Sequence, residues 1–211
     1  SFDRDINDGT DVSTDVTSGS LQDELTLTDY LQVVVGLRYD SFDIKVFNAL
    51  ADETRSRNDS EVSPRFGVVY KPIDAISIYA SYSESFLPRS GEQFANINGS
   101  NDELAPNTFG NREVGVKYDF ASGLSFTAAL FEIEQRSPQV ADNDPATLDV
   151  IESEIDGFEL QLQGRVNALW SVSAGYSSLD GEQVNRQGRT GLTPRELPDS
   201  MFSIWNQFTL S

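Results

Sequence analysis

Hydrophobic and polar positions alternate one for one along most of this chain, the period of an extended strand with two unlike faces. In "LQVVVGLRYDSF" Leu31, Val33, Val35, Leu37 and Tyr39 share a face, and in "FGVVYKP" Phe66, Val68 and Tyr70 do. "AISIYASYSES" sets Ile76, Ile78, Ala80 and Tyr82 on one side. "NREVGVKYDFASGLSFTAALFEIEQ" holds two such runs, Val114, Val116, Tyr118 and Phe120 opposite Glu113, Gly115, Lys117 and Asp119, then Leu124, Phe126, Ala128 and Leu130. The strictest run is "GFELQLQGRV", with Phe158, Leu160, Leu162 and Val166 against Glu159, Gln161, Gln163 and Arg165. Trp170, Val172, Ala174 and Tyr176, then Phe202, Ile204, Phe208 and Leu210, mark two more, and "LQDELTLT" opens the series. The pattern predicts an all-β chain of about nine strands.

The connections predict how those strands are joined. Short turns stand at "TDY", "PIDA", "FASG" and "VNA", and between them lie long polar segments at about 47–62, 88–108, 137–149 and 180–198. An antiparallel meander with tight turns at one end and long loops at the other is the plan of a transmembrane β-barrel, with periplasmic turns and extracellular loops. Runs of about ten residues suit an apolar band about 25 Å tall. Aromatic residues predict two girdles, with Tyr70, Tyr118, Phe120, Phe126 and Trp170 at the turn end and Tyr39, Tyr82 and Tyr176 at the loop end. Asn206 is out of place on the apolar face. Nine is an odd count for a bacterial single-chain barrel, and the chain opens mid-phrase, so the expectation is a partial barrel.

Composition narrows the chemistry. With no Cys and no His, disulfides, thiolate or imidazole metal sites and Ser-His-Asp triads are excluded, and no cofactor is expected. A net charge of −19 argues against a nucleic-acid partner. "DRDINDGTDVSTD" spaces Asp3, Asp5 and Asn7 as a calcium loop would, but has Asp8 where that loop needs Gly and Thr14 where it needs Glu. The pairs Glu132/Glu134 and Glu152/Glu154 share strand faces without a sugar cleft to serve, so the chain is expected not to be an enzyme.

Several segments resemble the TonB-dependent outer-membrane receptors, and among them the siderophore receptors. They are "LQVVVGLRYDSF", "SPRFGVVYKPIDAISIYASYSESFLPRSGEQF", "LAPNTFGNREVGVKYDF", "GLSFTAALFEIEQR", "IDGFELQLQGRV" and "LWSVSAGYSSLDGE", in that order. The resemblance implies that residues 1–211 are one part of a larger barrel of the bacterial outer membrane, without the N-terminal plug and the last strands. It also implies partners: a ferric siderophore, the inner-membrane TonB energy-coupling complex acting through the plug, and outer-membrane lipid. Alternatives are a receptor of the same class for a cobalamin or a glycan, a passive porin, and a soluble β-sandwich.

A bulky chelate is held by aromatic faces and fixed donors at a barrel mouth. On that ground Phe86, Arg89, Phe94, Phe109 and Arg112 are the candidate ligand-binding residues, flanking or within the segment from Phe86 to Phe109. The acidic "SPQVADNDPATLD" lacks aromatics and is expected to contribute less. Arg136, Arg186, Arg189 and Arg195 are expected to pair with nearby acids.

Overall fold

A computed structural model describes residues 10–49, 52–88, 105–141, 144–185, 193–194 and 197–209. They form nine strands: β1 (Thr10–Thr28), β2 (Leu31–Asn48), β3 (Glu53–Ile73), β4 (Ile76–Leu87), β5 (Asn107–Asp119), β6 (Leu124–Ala141), β7 (Asp144–Asn167), β8 (Trp170–Asn185) and β9 (Ser200–Phe208). All belong to one antiparallel sheet whose spatial order is the chain order. The expected meander is therefore the observed topology.

Cross-strand partners project to the same side of a sheet, so the register divides the residues into two faces. One is apolar: Tyr70, Ile78, Val116, Ala128, Leu160, Tyr176 and Phe202 stand in a single row across seven strands. Its large residues remain exposed, among them Phe66 at 49%, Leu130 at 62% and Phe202 at 69%. In a two-layer sandwich these side chains would be the core. Here they form an outward band, and among the described residues only Ile44, Val46 and Val172 are buried hydrophobics. The opposite face carries Ser77, Lys117, Thr127 and Gln161 in one row and Tyr79, Gly115, Ala129 and Glu159 in the next.

The short turns have local causes. Asn167 Oδ1 accepts from the Leu169 amide at 2.9 Å, and Thr28 Oγ1 from the Tyr30 amide at 3.2 Å, side-chain bonds that close two of them. Gly123, at φ +91°, supplies the left-handed residue between β5 and β6. Aromatic pairs mark the turn end of the band: Tyr118 meets Phe120 edge-on at 4.5 Å, and Trp170 stacks on Phe208 at 6.0 Å. Asn206 is not stranded there, because its Oδ1 accepts from Trp170 Nε1 at 3.0 Å.

Four expected boundaries are corrected. The segment 47–62 is not a loop: β2 runs to Asn48 and β3 starts at Glu53, paired without interruption from Asn48↔Glu53 to Leu31↔Tyr70. Most of 137–149 likewise lies in β6 and β7, and β8 continues to Asn185. At the other end, β1 begins at Thr10 rather than near Leu21. Through residues 48–61 and 137–149 polar residues fall on both faces and the alternation fades, while the backbone ladder still satisfies its hydrogen bonds by continuing.

Candidate functional site

The outward face changes character in one register step. Ala80, Val114, Leu130 and Phe158 form the last apolar row, and the next, one step toward the loop end, is Tyr82, Arg112, Glu132, Asp156 and Asp180. From Phe120 to Arg112 β5 rises about 26 Å along its axis, or about 20 Å vertically at barrel tilt, so this step sits where a band about 25 Å tall would end. Arg112 is committed here: its guanidinium donates to Glu132 and, at 2.8 Å, to Glu134, and lies 5.8 Å from the Tyr82 ring. Arg136 pairs with Glu152 at 3.4 Å, as expected of it. The carboxylates of Glu132, Glu154 and Asp156 come within 4.8 Å of one another. Asp156, with further acids around it, holds the Glu154 carboxyl above its usual range in this part of β7 beyond the apolar band.

The inward face inverts in the opposite sense. Near the turns it is polar, and Tyr79 Oη donates to Glu113 Oε1 at 2.6 Å. The Tyr79 ring lies over Gly115, where a Cβ would come within 2.5 Å of Cζ. Toward the loop end the same face becomes apolar, with Phe131 and Leu179 in one row and Ile133 and Ile155 in the next. On β2 the apolar phase shifts from Leu37 and Tyr39, outward, to Phe42, Ile44 and Val46, inward and screened, Ile44 completely. Above the bilayer the outer side meets water and the inner side meets protein or cargo, so the preference of each face reverses.

This inversion builds a hollow at the inner mouth. Pairing of β3 with β4 stops at Arg65↔Ser83, and beyond it the end of β4 lies against the inward side of β2, bringing Phe86 edge-on to Phe42 at 5.4 Å. Gly36 leaves the floor open between Gln22 and Arg65, and the space, about 480 Å³, is further walled by Arg38, Asp40, Ser85 and Glu84. Arg38 is spent, its Nε and Nη2 donating to the two Asp40 oxygens at 2.7 Å each. Arg65, across the floor, is exposed and makes no ion pair among the described residues.

Of the residues singled out from sequence, Phe86 lines this hollow and Phe109 stands on the inward face opposite Ser85. Arg112 stands on the other face, in the charged row above the apolar band. Arg89, Phe94, Arg186, Arg189, Arg195, Asp3, Asp5, Asn7 and Asp8 lie outside the described residues. Phe42 and Arg65 were missed. The signal for Phe42 was present: in "YDSFDIKVF" the apolar positions change from odd to even, the mark of a strand leaving the bilayer.

Comparison with known proteins fits this geometry. The sequence profile of the family described as TonB dependent receptor-like, beta-barrel matches residues 1–211. The chain is 33% identical over 190 residues to the probable TonB-dependent siderophore receptor PiuA of Acinetobacter baumannii, covering 85% of this chain and 25% of that protein. It is 31% identical over 199 residues to the ferrioxamine receptor of Yersinia enterocolitica, covering 89% and 26%. The ferrichrome outer membrane transporter/phage receptor of Escherichia coli is 30% identical over 184 residues, covering 86% and 24%. The chain thus spans about a quarter of the length of the curated relatives it matches. The crystal structure of the siderophore receptor PiuA from Acinetobacter baumannii superposes with a TM-score of 0.80 at 30% identity, over 94% of this chain and 32% of that one.

Proposed function

Because this chain belongs to the TonB-dependent receptor-like β-barrel family, we propose that it forms part of the barrel wall and inner mouth of a bacterial outer-membrane receptor that takes up a ferric siderophore. In this reading residues 1–211 are one portion of the barrel domain. Energy reaches the bound cargo from an inner-membrane complex acting on a plug outside this chain. The relatives named above as siderophore, ferrioxamine and ferrichrome receptors support the choice of cargo class.

The observation that carries the reading is the hollow under Phe42 and Phe86. A passive pore has no need of an aromatic pair over an arginine-lined floor, whereas a capture site gains from rigid rings that cover much area at little entropic cost. Phe109, inward across from Ser85, lies on the face of the β4–β5 pair opposite to Phe86 and offers a separate aromatic surface to the lumen. Arg89 and Phe94, on the segment joining β4 to β5, complete the proposed contacts.

The test is uptake of radiolabelled ferric siderophore by cells whose only receptor is the intact protein carrying this chain. Phe42→Ala with Phe86→Ala is expected to weaken binding at least about tenfold at matched surface levels, the loss of two interfacial anchors at about 1 kcal/mol or more each. Uptake is also expected to stop when the proton gradient is collapsed. Passage that survives that collapse and the double substitution alike would identify a passive pore instead.

A further inference from the structure

The charge arrangement of the hollow says more than that it takes a chelate. Resting on the capture reading just given, we infer that this site selects a ferric chelate bearing a single anionic group, held by Arg65, and discriminates against polyanionic chelates. Two arginines line the space, and they are not equivalent. Arg38 shares both of its bonds with Asp40, whose side chain is 6% exposed, so its charge is cancelled where it stands. Arg65 sits across Gly36 on the same face, exposed and without an ion-pair partner among the described residues.

The remaining neighbours limit the charge a ligand can bring. Glu84 walls the hollow, and Glu61, the cross-strand partner of Asp40, projects to the same side; neither makes an ion pair among the described residues, so any negative group beyond the first would approach two carboxylates. The arginines further along β3 do not relieve this, since Arg57 pairs with Asp59 at 2.7 Å and Arg55 with Glu53 at 3.1 Å. One carboxylate can lie flat against the Arg65 guanidinium in the forked geometry that planar group favours, while the ligand's apolar body meets Phe42 and Phe86. A trianionic chelate would find one free cation and two opposing charges.

A matched set of probes tests this on the intact receptor in detergent by calorimetry. An amine-bearing linear trihydroxamate, loaded with iron, is acetylated to give a neutral chelate or succinylated to give a monoanion, and a ferric tris-catecholate serves as the trianion. The succinylated chelate should bind tightest to the wild type. Arg65→Ala should weaken it about tenfold or more, the range of one charge-assisted hydrogen-bonded contact, while the acetylated chelate changes by less than about threefold. Arg65→Lys should retain part of the preference. Asp40→Asn, which releases Arg38, should improve binding of the tris-catecholate. Heat-modifiable gel mobility confirms that each variant is a folded barrel.

Chelate binding that ignores both Arg65→Ala and Asp40→Asn overturns the charge assignment and leaves the capture reading standing. A wild type that prefers the trianion also overturns it. Failure of the folded wild type to bind any of the three overturns both.

Discussion

Gly164 offers the sharpest test of the register. It sits on β7 at φ +131°, a backbone region that side chains rarely occupy, opposite Leu124 at the β5–β6 turn. An added Cβ would fall 2.2 Å from the Gly123 carbonyl oxygen and 3.0 Å from the Leu124 Cα. Both are backbone atoms, so no rotamer change relieves the contact. Relief requires the turn to withdraw by about 1 Å, which breaks the bond from the Arg165 amide to Gly123 O at 3.2 Å. The strained φ costs about 1–3 kcal/mol and the lost bond about 1 kcal/mol, so Gly164→Ala should destabilise the barrel by about 2–4 kcal/mol. Gly175→Ala is the control: its Cβ would meet Ser203 Oγ at 3.4 Å, ordinary contact, and the change should stay within about 1 kcal/mol. Urea unfolding of the intact receptor in lipid vesicles, followed by tryptophan fluorescence, measures both. If Gly164→Ala unfolds at the same midpoint as Gly175→Ala, the backbone approach at the β5–β6 turn is wrong.

Three further outcomes follow from the faces. Leu160→Arg places a charge in the middle of the apolar band and should cost about 2–4 kcal/mol in a bilayer, whereas Glu154→Arg, beyond the band among like charges, should cost nothing measurable in the same unfolding assay. Trp170→Phe leaves the Asn206 carbonyl oxygen without its donor; a double-mutant cycle with Asn206→Leu should show a coupling of about 0.5–1.5 kcal/mol. The raised Glu154 carboxyl means that neighbouring acids disfavour its charged form in the fold, so its penalty is absent below the ordinary value of 4.5 and grows as pH rises through and above it. Glu154→Gln should therefore raise the unfolding midpoint at pH 7 and leave it unchanged at pH 4, and an equal gain at both would refute the electrostatic cause.

Alternation determined the strands that cross the bilayer and their two faces, and the short and long connections determined their order. Lipid on one side and water on the other leave a mark on every second residue, as at Phe158, Leu160 and Leu162. That mark fades where both faces carry polar residues, so the sequence could not reveal that β1 begins at Thr10 or that β2 and β3 stay paired as far as Asn48↔Glu53, which depends on backbone pairing indifferent to side chains. The phase change at Phe42 was visible, but not that β4 leaves β3 at Ser83 and swings Phe86 onto it, a contact across more than forty residues of chain. Arg112, Arg65 and Arg38 are alike in composition and hydropathy. Only the three-dimensional arrangement separated them, because a guanidinium's charge is available or cancelled according to which carboxylates lie within about 3 Å of it.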